Sequence, residues 1–309
     1  MAKLYRYAGL LVKQEVTSGT DSVPLPASNA MLIRNVTWNP IQMTVEERDL
    51  VRPYLGNSED IVMARWVELE FEIELAGAGA AGDLPAYHDA LLMAGHSHVV
   101  SAGVDVTYTP VSTGFKSATA YFNLDQVLHK SLFMMAKLGI GLDALKIPVF
   151  KFSAKGLFVT LADTGAWTPD YSAFVKPVGV NKANSTLSLH GVNAVVEKLQ
   201  IDTAAQIEYR NLYNFEGVQY TDRKPGGSIS FEMTTVAAKN WLASIETAAT
   251  GALAVVHGTT AGNIVEFNAP AAQVSQPRYG NSQGIAMLEA NLKLMPGASG
   301  NDEYEIVVR

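Results

Sequence analysis

Val67 to Leu75 reads Val-Glu-Leu-Glu-Phe-Glu-Ile-Glu-Leu, and its carboxylates Glu68, Glu70, Glu72 and Glu74 form the most regular titratable file in the chain. Successive strand side chains point to opposite faces, so the four acids share one face at roughly 6 to 7 Å spacing and the apolar residues share the other. Acid–base catalysis by paired carboxylates needs two groups whose surroundings push their pKa values apart, usually in a concave site. A flat, regular file offers four equivalent groups. The chemistry it can do is electrostatic: an anionic surface. An ordinary solvated face of an antiparallel sheet has the same pattern, and one strand does not separate the two.

Other residues that could carry chemistry are weaker. Gly77-Ala-Gly-Ala-Ala-Gly82 matches the G-x-G-x-x-G of dinucleotide sites. Three features oppose that reading: the preceding strand has a charged face, Pro85 follows too closely, and no further strand–helix alternation supplies a parallel sheet. A flexible connector into a short helix fits better. His96 and His98 would share one side of a strand, but no carboxylate is spaced to complete a zinc site. His88, His129, His190 and His257 are scattered, and no Gly-x-Ser-x-Gly elbow is present. Asn35-Val-Thr37 and Asn184-Ser-Thr186 match the glycosylation pattern, which carries no weight without a secretory signal. Trp38, Trp66, Trp167 and Trp241 do not pair with basic clusters as a single-strand-binding platform requires. We therefore expect no catalytic residue, no metal and no cofactor.

The composition sets the frame for these elements. A chain of 309 residues, 48% hydrophobic and 17% charged, can bury a sizeable core as one large or two ordinary domains. No apolar run is long enough to span a membrane, and the opening Met-Ala-Lys-Leu-Tyr-Arg-Tyr lacks the apolar core of a signal peptide; a cytoplasmic place of assembly is expected. The absence of cysteine excludes disulfides and thiolate chemistry. A formal charge of −7 argues against a protein built to grip DNA.

The pattern along the chain is mainly β with minor α. Leu10 to Pro26 reads as a short strand and an irregular arm of the kind that needs a partner. Ala30 to Ile41 reads as a strand ending near Pro40, and Thr44 to Asp60 as the long tip of a hairpin returning through the glutamate strand. A short helix is expected over Pro85 to Ala94, then strands at Val104 to Thr109, Ser117 to Asn123 and Val149 to Val159. Leu128 to Leu145 is ambiguous between helix and strand. Turn formers from Asp163 to Ser185 mark a boundary. Beyond it come a strand at Val195 to Asp202, a charged hairpin with Asp222-Arg223-Lys224, a strand at Ser228 to Met233 and a short helix over Val236 to Thr247. Strands at Leu253 to His257 and Ile264 to Phe267, a loop through Pro270 to Gly284 and a strand at Ile285 to Met295 complete the set. The order of elements recurs, so we expect a first unit at 1–165 with the arm and the long hairpin, a linker at 166–188, and a second unit at 189–309.

Several segments together resemble the tail-tube (major tail) proteins of long-tailed, non-contractile bacteriophages. They are Leu11-Val-Lys-Gln-Glu-Val-Thr-Ser-Gly-Thr-Asp21, Val45 to Ser58 running into the glutamate strand, Tyr121-Phe-Asn-Leu-Asp125 with Leu128-His-Lys130, Pro169 to Phe174, Thr221 to Pro225, and His257 to Asn263. The resemblance implies a virion protein of β-sandwich units, each with one flanking helix, whose inner sheets close into a β-barrel lumen on ring assembly. Rings would stack into the tube, with tape-measure, tail terminator and tail-tip proteins as partners and viral DNA in transit without specific binding.

Because the chain is about two units long, three copies would complete a pseudo-hexameric ring where single units need six; a homohexamer is the alternative. On this reading Glu68, Glu70, Glu72 and Glu74 face the lumen and repel DNA. Glu46, Glu47, Arg48, Asp49 and Arg52, with Asp222, Arg223 and Lys224, make contacts between rings. A capsid or pilus-like subunit shares the self-assembly logic without these segments. A carbohydrate-binding or hydrolytic β-sandwich would need a concave site.

Overall fold

The computed structural model describes residues 2–309. It is mainly β, and every ladder is antiparallel. The strands before the boundary are β1 (Ala8–Gln14), β2 (Ala30–Met31), β3 (Arg34–Glu47), β4 (Asp60–Glu74), β5 (His96–Ser101), β6 (Asp105–Pro110), β7 (Ala118–Leu124), β8 (Val127–Asp143), β9 (Val149–Phe158) and β10 (Ala162–Asp163). Those after it are β11 (Ser185–Leu189), β12 (Val192–Asn193), β13 (Val196–Asp202), β14 (Gln206–Leu212), β15 (Phe215–Asp222), β16 (Gly226–Glu232), β17 (Thr250–His257), β18 (Val265–Ser282), β19 (Ile285–Leu294) and β20 (Glu305–Val308). Three short helices, α1 (Pro26–Asn29), α2 (His88–Met93) and α3 (Trp241–Glu246), lie between them.

One strand order occurs twice. The ladders β1–β7–β8–β9–β4–β3 are matched by β11–β17–β18–β19–β16–β13. In each set a long strand, β8 or β18, changes partners midway, and at the change sits a bulge with a non-glycine residue at positive φ, Phe133 (φ 51) and Gln276 (φ 52). Such a bulge bends a strand and lets it serve two layers. The sets are joined edge to edge, since β13 pairs with the C-terminal part of β8 from Lys198↔Asp143 to Asp202↔Gly139. The C-terminal β20 adds a second stitch, lying between β18 and β6. The largest apolar cluster runs without a break from Leu10 to Val308.

The segment from Leu128 to Leu145 is a strand as far as Asp143 and then a turn. Gly139 and Gly141 each cost a helix about 1 kcal/mol, and Ala136, Leu138, Ile140 and Leu142 then face the core in alternation. Two expected breaks are absent. β3 runs through Pro40, and β18 occupies most of the stretch from Pro270 to Gly284. Each carries its internal prolines where a missing N–H is tolerated: Pro40 and Pro277 lie in bulges on edges that pair on one side only.

The N-terminal arm is tied to the body of its own chain. The buried Glu15 carboxylate accepts from Gly19 N, Ser117 Oγ, Thr119 Oγ1 and Phe133 N at 2.7 to 2.9 Å, so the arm, β7 and the bulge of β8 are held by one side chain. Asp21 meets Lys130 Nζ at 3.2 Å and accepts from Tyr121 Oη at 2.5 Å; three residues from separate family-like segments thus fasten the arm to β7 and β8. The linker is fastened too. Trp167 and Tyr171 pack on Leu11, Tyr121 and Leu128, and His257 bonds both Ser185 Oγ and Val178 O. The glycine motif is a site of close backbone approach: Gly79 N donates to Gly262 O at 2.7 Å, and a Cβ on Gly77 would lie 2.2 Å from that same oxygen. It precedes α2, which is shorter than expected and contributes Leu91 and Met93 to the core.

Candidate functional site

The glutamate strand keeps its two faces. Val67, Leu69, Phe71, Ile73 and Leu75 are buried, with Phe71 stacked on Phe152 at 5.0 Å between ring centroids, while Glu68, Glu70, Glu72 and Glu74 reach the solvent side. What the strand pattern did not reveal is the set of neighbours. β9 lays Lys155 opposite Glu68, Ser153 opposite Glu70 and Lys151 opposite Glu72, and β8 lays Lys137 opposite Ser153. Arg34 of β3 lies 3.5 Å from both Glu72 and Glu74, and Asn35 Nδ2 donates to Glu72 at 2.6 Å. Trp66 Nε1 donates to Glu68 at 3.2 Å. Opposite charges directly across a ladder contribute roughly 0.2 to 1 kcal/mol, so the repulsion among the four acids is offset by the neighbouring strands. The surface is a mosaic and not a wall of carboxylates alone.

That mosaic continues across the joint. On the same face β8 presents Gly139, Gly141 and Asp143, and β13 presents Asp202, Gln200 and Lys198 opposite them. The glycines leave a shallow groove, and Gln200 Nε2 donates to Asp143 across it at 2.7 Å. Beyond lie Ser228 and Ser230 of β16, Asn291 and Glu289 of β19, and Arg278 of β18 opposite Glu289. The result is one polar face over eight strands, β3-β4-β9-β8-β13-β16-β19-β18, with carboxylates and cations interleaved and its other side in the core. Among the described residues no group of three or more His, Cys, Asp or Glu side chains could hold a metal. His96, singled out with His98, is buried: it bonds Leu91 O and Tyr304 Oη, and burial lowers its pKa to about 4.

The charged hairpin residues divide. Glu46 and Glu47 are still paired in β3, opposite Ile61 and Asp60, and Arg48 pairs with Glu59 where the strands part. Asp49 and Arg52 lie in the tip beyond. The arm is more apolar than its charges implied. Met43, Val45, Val51, Tyr54, Leu55, Ile61, Val62 and Met63 are all exposed, and Val51 and Leu55 have no cover at all.

Asp222, Arg223 and Lys224 are not at a tip. They link β15 to β16, and the tip of that hairpin is Tyr213-Asn214, flanked by exposed Leu212 and Phe215. Arg223 is withdrawn from any outer contact: it lies 3.0 Å from the Glu303 carboxylate with both side chains 8% exposed. It also donates to Asn301 Oδ1 and Val111 O. Asp222 and Lys224 pair with each other at the surface, 3.2 Å apart. The β14–β15 hairpin folds back on β8 and β9, burying Ile207 and Val218 against Met135 and stacking Tyr209 on Trp66 at 5.2 Å. The run of charge at Asp222-Arg223-Lys224 singles out the link in the sequence, whereas the tight turn at Tyr213-Asn214 marks the tip.

A family model described as phage tail tube protein matches residues 8–292. No curated protein matches the chain.

Proposed function

The chain belongs to the phage tail tube protein family, and from that premise we propose that it self-assembles head to tail into rings that stack as the hollow tail of the virion. The observation that carries this reading is the eight-strand sheet with one polar face and one buried face, built from two sets of strands in the same order. With units at 1–165 and 189–309 about the linker 166–188, three copies supply the six units of a ring. Such a subunit would assemble in the host cytoplasm around the tape-measure protein, capped by terminator and tip proteins. Electron microscopy and native mass measurement of purified protein test this. Hollow rings or tubes with three copies per layer are expected; six copies per layer would overturn the trimer, and closed shells or monomers at every concentration the tube itself.

In this arrangement the polar face lines the bore, and viral DNA passes along it during ejection. A duplex carries one charge per ~1.7 Å and adheres wherever unpaired Lys and Arg displace its counterions. Here Lys137, Lys151 and Lys155 stand among Glu68, Glu70, Glu72 and Glu74, so phosphates meet no uncompensated cationic track. Transit is then indifferent to sequence. Changing the four glutamates to lysine would replace four negative charges with four positive ones per chain beside those three lysines. We expect tubes that still form but retain DNA, with ejection slowed at least tenfold at low salt and recovering as salt is raised. An unchanged rate from normally assembled tubes would remove these residues from the bore. The exposed apolar arm between β3 and β4, with Glu46, Glu47, Arg48, Asp49 and Arg52, is assigned to contacts between stacked rings, and Asp222 and Lys224 to their rim.

A further inference from the structure

The two strand sets differ in how the space between their layers is filled. In the first, Trp38 of β3 carries its indole across to β7, where it stacks on Phe122 at 5.2 Å with His129 edge-on at 5.9 Å. Its Nε1 has no hydrogen-bond partner among the described residues, so the ring is placed for its bulk. Trp38 stands just past the N-terminal bulge of β3, and the residue just past the bulge of the counterpart strand β13 is Leu199. On the other layer β17, the counterpart of β7, offers Val255.

Between β13 and β17 these smaller side chains leave a pocket of about 460 Å³, within the roughly 300 to 1,000 Å³ of small-molecule sites. Leu142, Leu199 and Val255 are buried at its base, and Val180, Leu187 and Val196 are half-buried along its walls. Thr186 and Lys182 are exposed at its mouth. The turn that carries Lys182 is held by Asn181 Oδ1, which accepts from Ala183 N at 2.9 Å and Asn184 N at 3.1 Å. The linker wall is fixed to the turn after β8, where Leu145 N donates to Val180 O at 2.8 Å and Val180 N to Lys146 O at 2.9 Å. Walls set before binding lose little ordering entropy when a ligand enters. Among the described residues that line the pocket none is a carboxylate, and Lys182 is the one charged side chain. Lys182 has no ion-pair partner among the described residues.

We propose that this pocket binds a planar aromatic molecule of one or two fused rings that bears a single negative charge. The rings enter between β13 and β17 against Leu142, Leu199 and Val255, as the indole of Trp38 lies between β3 and β7. The anionic group stays at the mouth beside Lys182, where no carboxylate opposes it. Apolar contact supplies most of the affinity, and the exposed lysine selects the sign of the charge. The site lies within one chain, so the free subunit carries it whether or not a ring has closed.

Naphthalene-2-sulfonate titrated calorimetrically into the soluble protein is expected to saturate at one molecule per chain. The same rings without the charge, as 2-naphthol, should bind about two- to fivefold more weakly, the size of effect an exposed ion pair supplies. Lys182→Gln should lose that factor for the sulfonate and nothing for 2-naphthol, and high salt should do the same. Leu199→Trp places in the second set the indole that fills the first, and is expected to weaken both ligands by about tenfold or more. Circular dichroism shows whether that variant folds. Thr186→Trp, at the exposed mouth, closes the pocket without entering the core and should give a comparable loss. No saturable binding at millimolar ligand, or unchanged binding in the folded tryptophan variants, would overturn the site. Equal affinity of wild type and Lys182→Gln for the sulfonate would overturn the anionic class. Binding to the soluble chain that disappears in assembled tubes would assign the pocket to a second copy and overturn it as a ligand site.

Discussion

Replacing Arg223 with alanine is expected to destabilise the subunit by about 3 to 5 kcal/mol, the cost of leaving a buried carboxylate without its cation. The partner is Glu303, 6% exposed, which receives Arg223 Nε at 3.1 Å. The same guanidinium reaches Asn301 Oδ1 at 2.8 Å and Ser112 Oγ at 3.4 Å, so it ties the β15–β16 link to the C-terminal segment and to the turn after β6. Next to it Tyr220 stacks on Phe115 at 4.6 Å and lies against Gly95, so the ion pair also fixes the base of the β14–β15 hairpin. Urea unfolding of Arg223→Ala, Glu303→Ala and the pair Arg223→Met with Glu303→Leu tests the cause. The double substitution is expected to recover most of the loss, because apolar groups of similar volume need no counter-charge. A loss under about 1 kcal/mol for Arg223→Ala would mean that water reaches the pair and that Arg223 is available for contacts after all.

Acid should weaken the fold before most carboxylates titrate. His96 donates from Nδ1 to Leu91 O at 2.9 Å, and its Nε2 accepts from Tyr304 Oη at 2.8 Å, which satisfies the neutral ring completely. Burial holds its pKa down at about 4, aided by the charge of Arg223 and opposed by the bond to Leu91. An unfolded histidine titrates near 6.5, so between these values the unfolded chain binds the extra proton and the folded chain does not. The contribution of the neutral ring is complete above about pH 6.5 and is lost as pH falls towards 4, for a total of about 3 kcal/mol. His88, also lowered to about 4 by burial and then by His98, acts in the same direction. Thermal unfolding against pH for wild type and His96→Asn checks this: the variant starts lower at pH 7 and declines less between pH 6.5 and 4. Parallel curves would show that His96 does not titrate on unfolding.

Both predictions concern the same neighbourhood. Arg223, Glu303, His96 and Tyr304 connect the C-terminal segment with β5 and with the hairpin base, and β20 continues from there between β18 and β6. These contacts cross from one strand set to the other. Loosening them would leave the glutamate face intact while freeing the hairpin that packs on Met135 and Trp66.

Strict alternation from Val67 to Leu75 determined by itself that one face of β4 would be apolar and the other charged, because side-chain direction along a strand depends only on the residue's own position. Cysteine content, the mainly β class and the repeated order of elements were legible for the same reason: each is a local or cumulative property of the chain. Tertiary structure alone decided which side chains share a surface. Lys151 and Lys155 came to face Glu72 and Glu68 through the register of β9 on β4, and a slip of one residue would have turned them to the core. It likewise drew Arg223 inward to a glutamate eighty positions away and carried β18 through Pro277 on an open edge. Charge and periodicity name the groups, whereas compensation and burial depend on partners brought together from distant parts of the sequence.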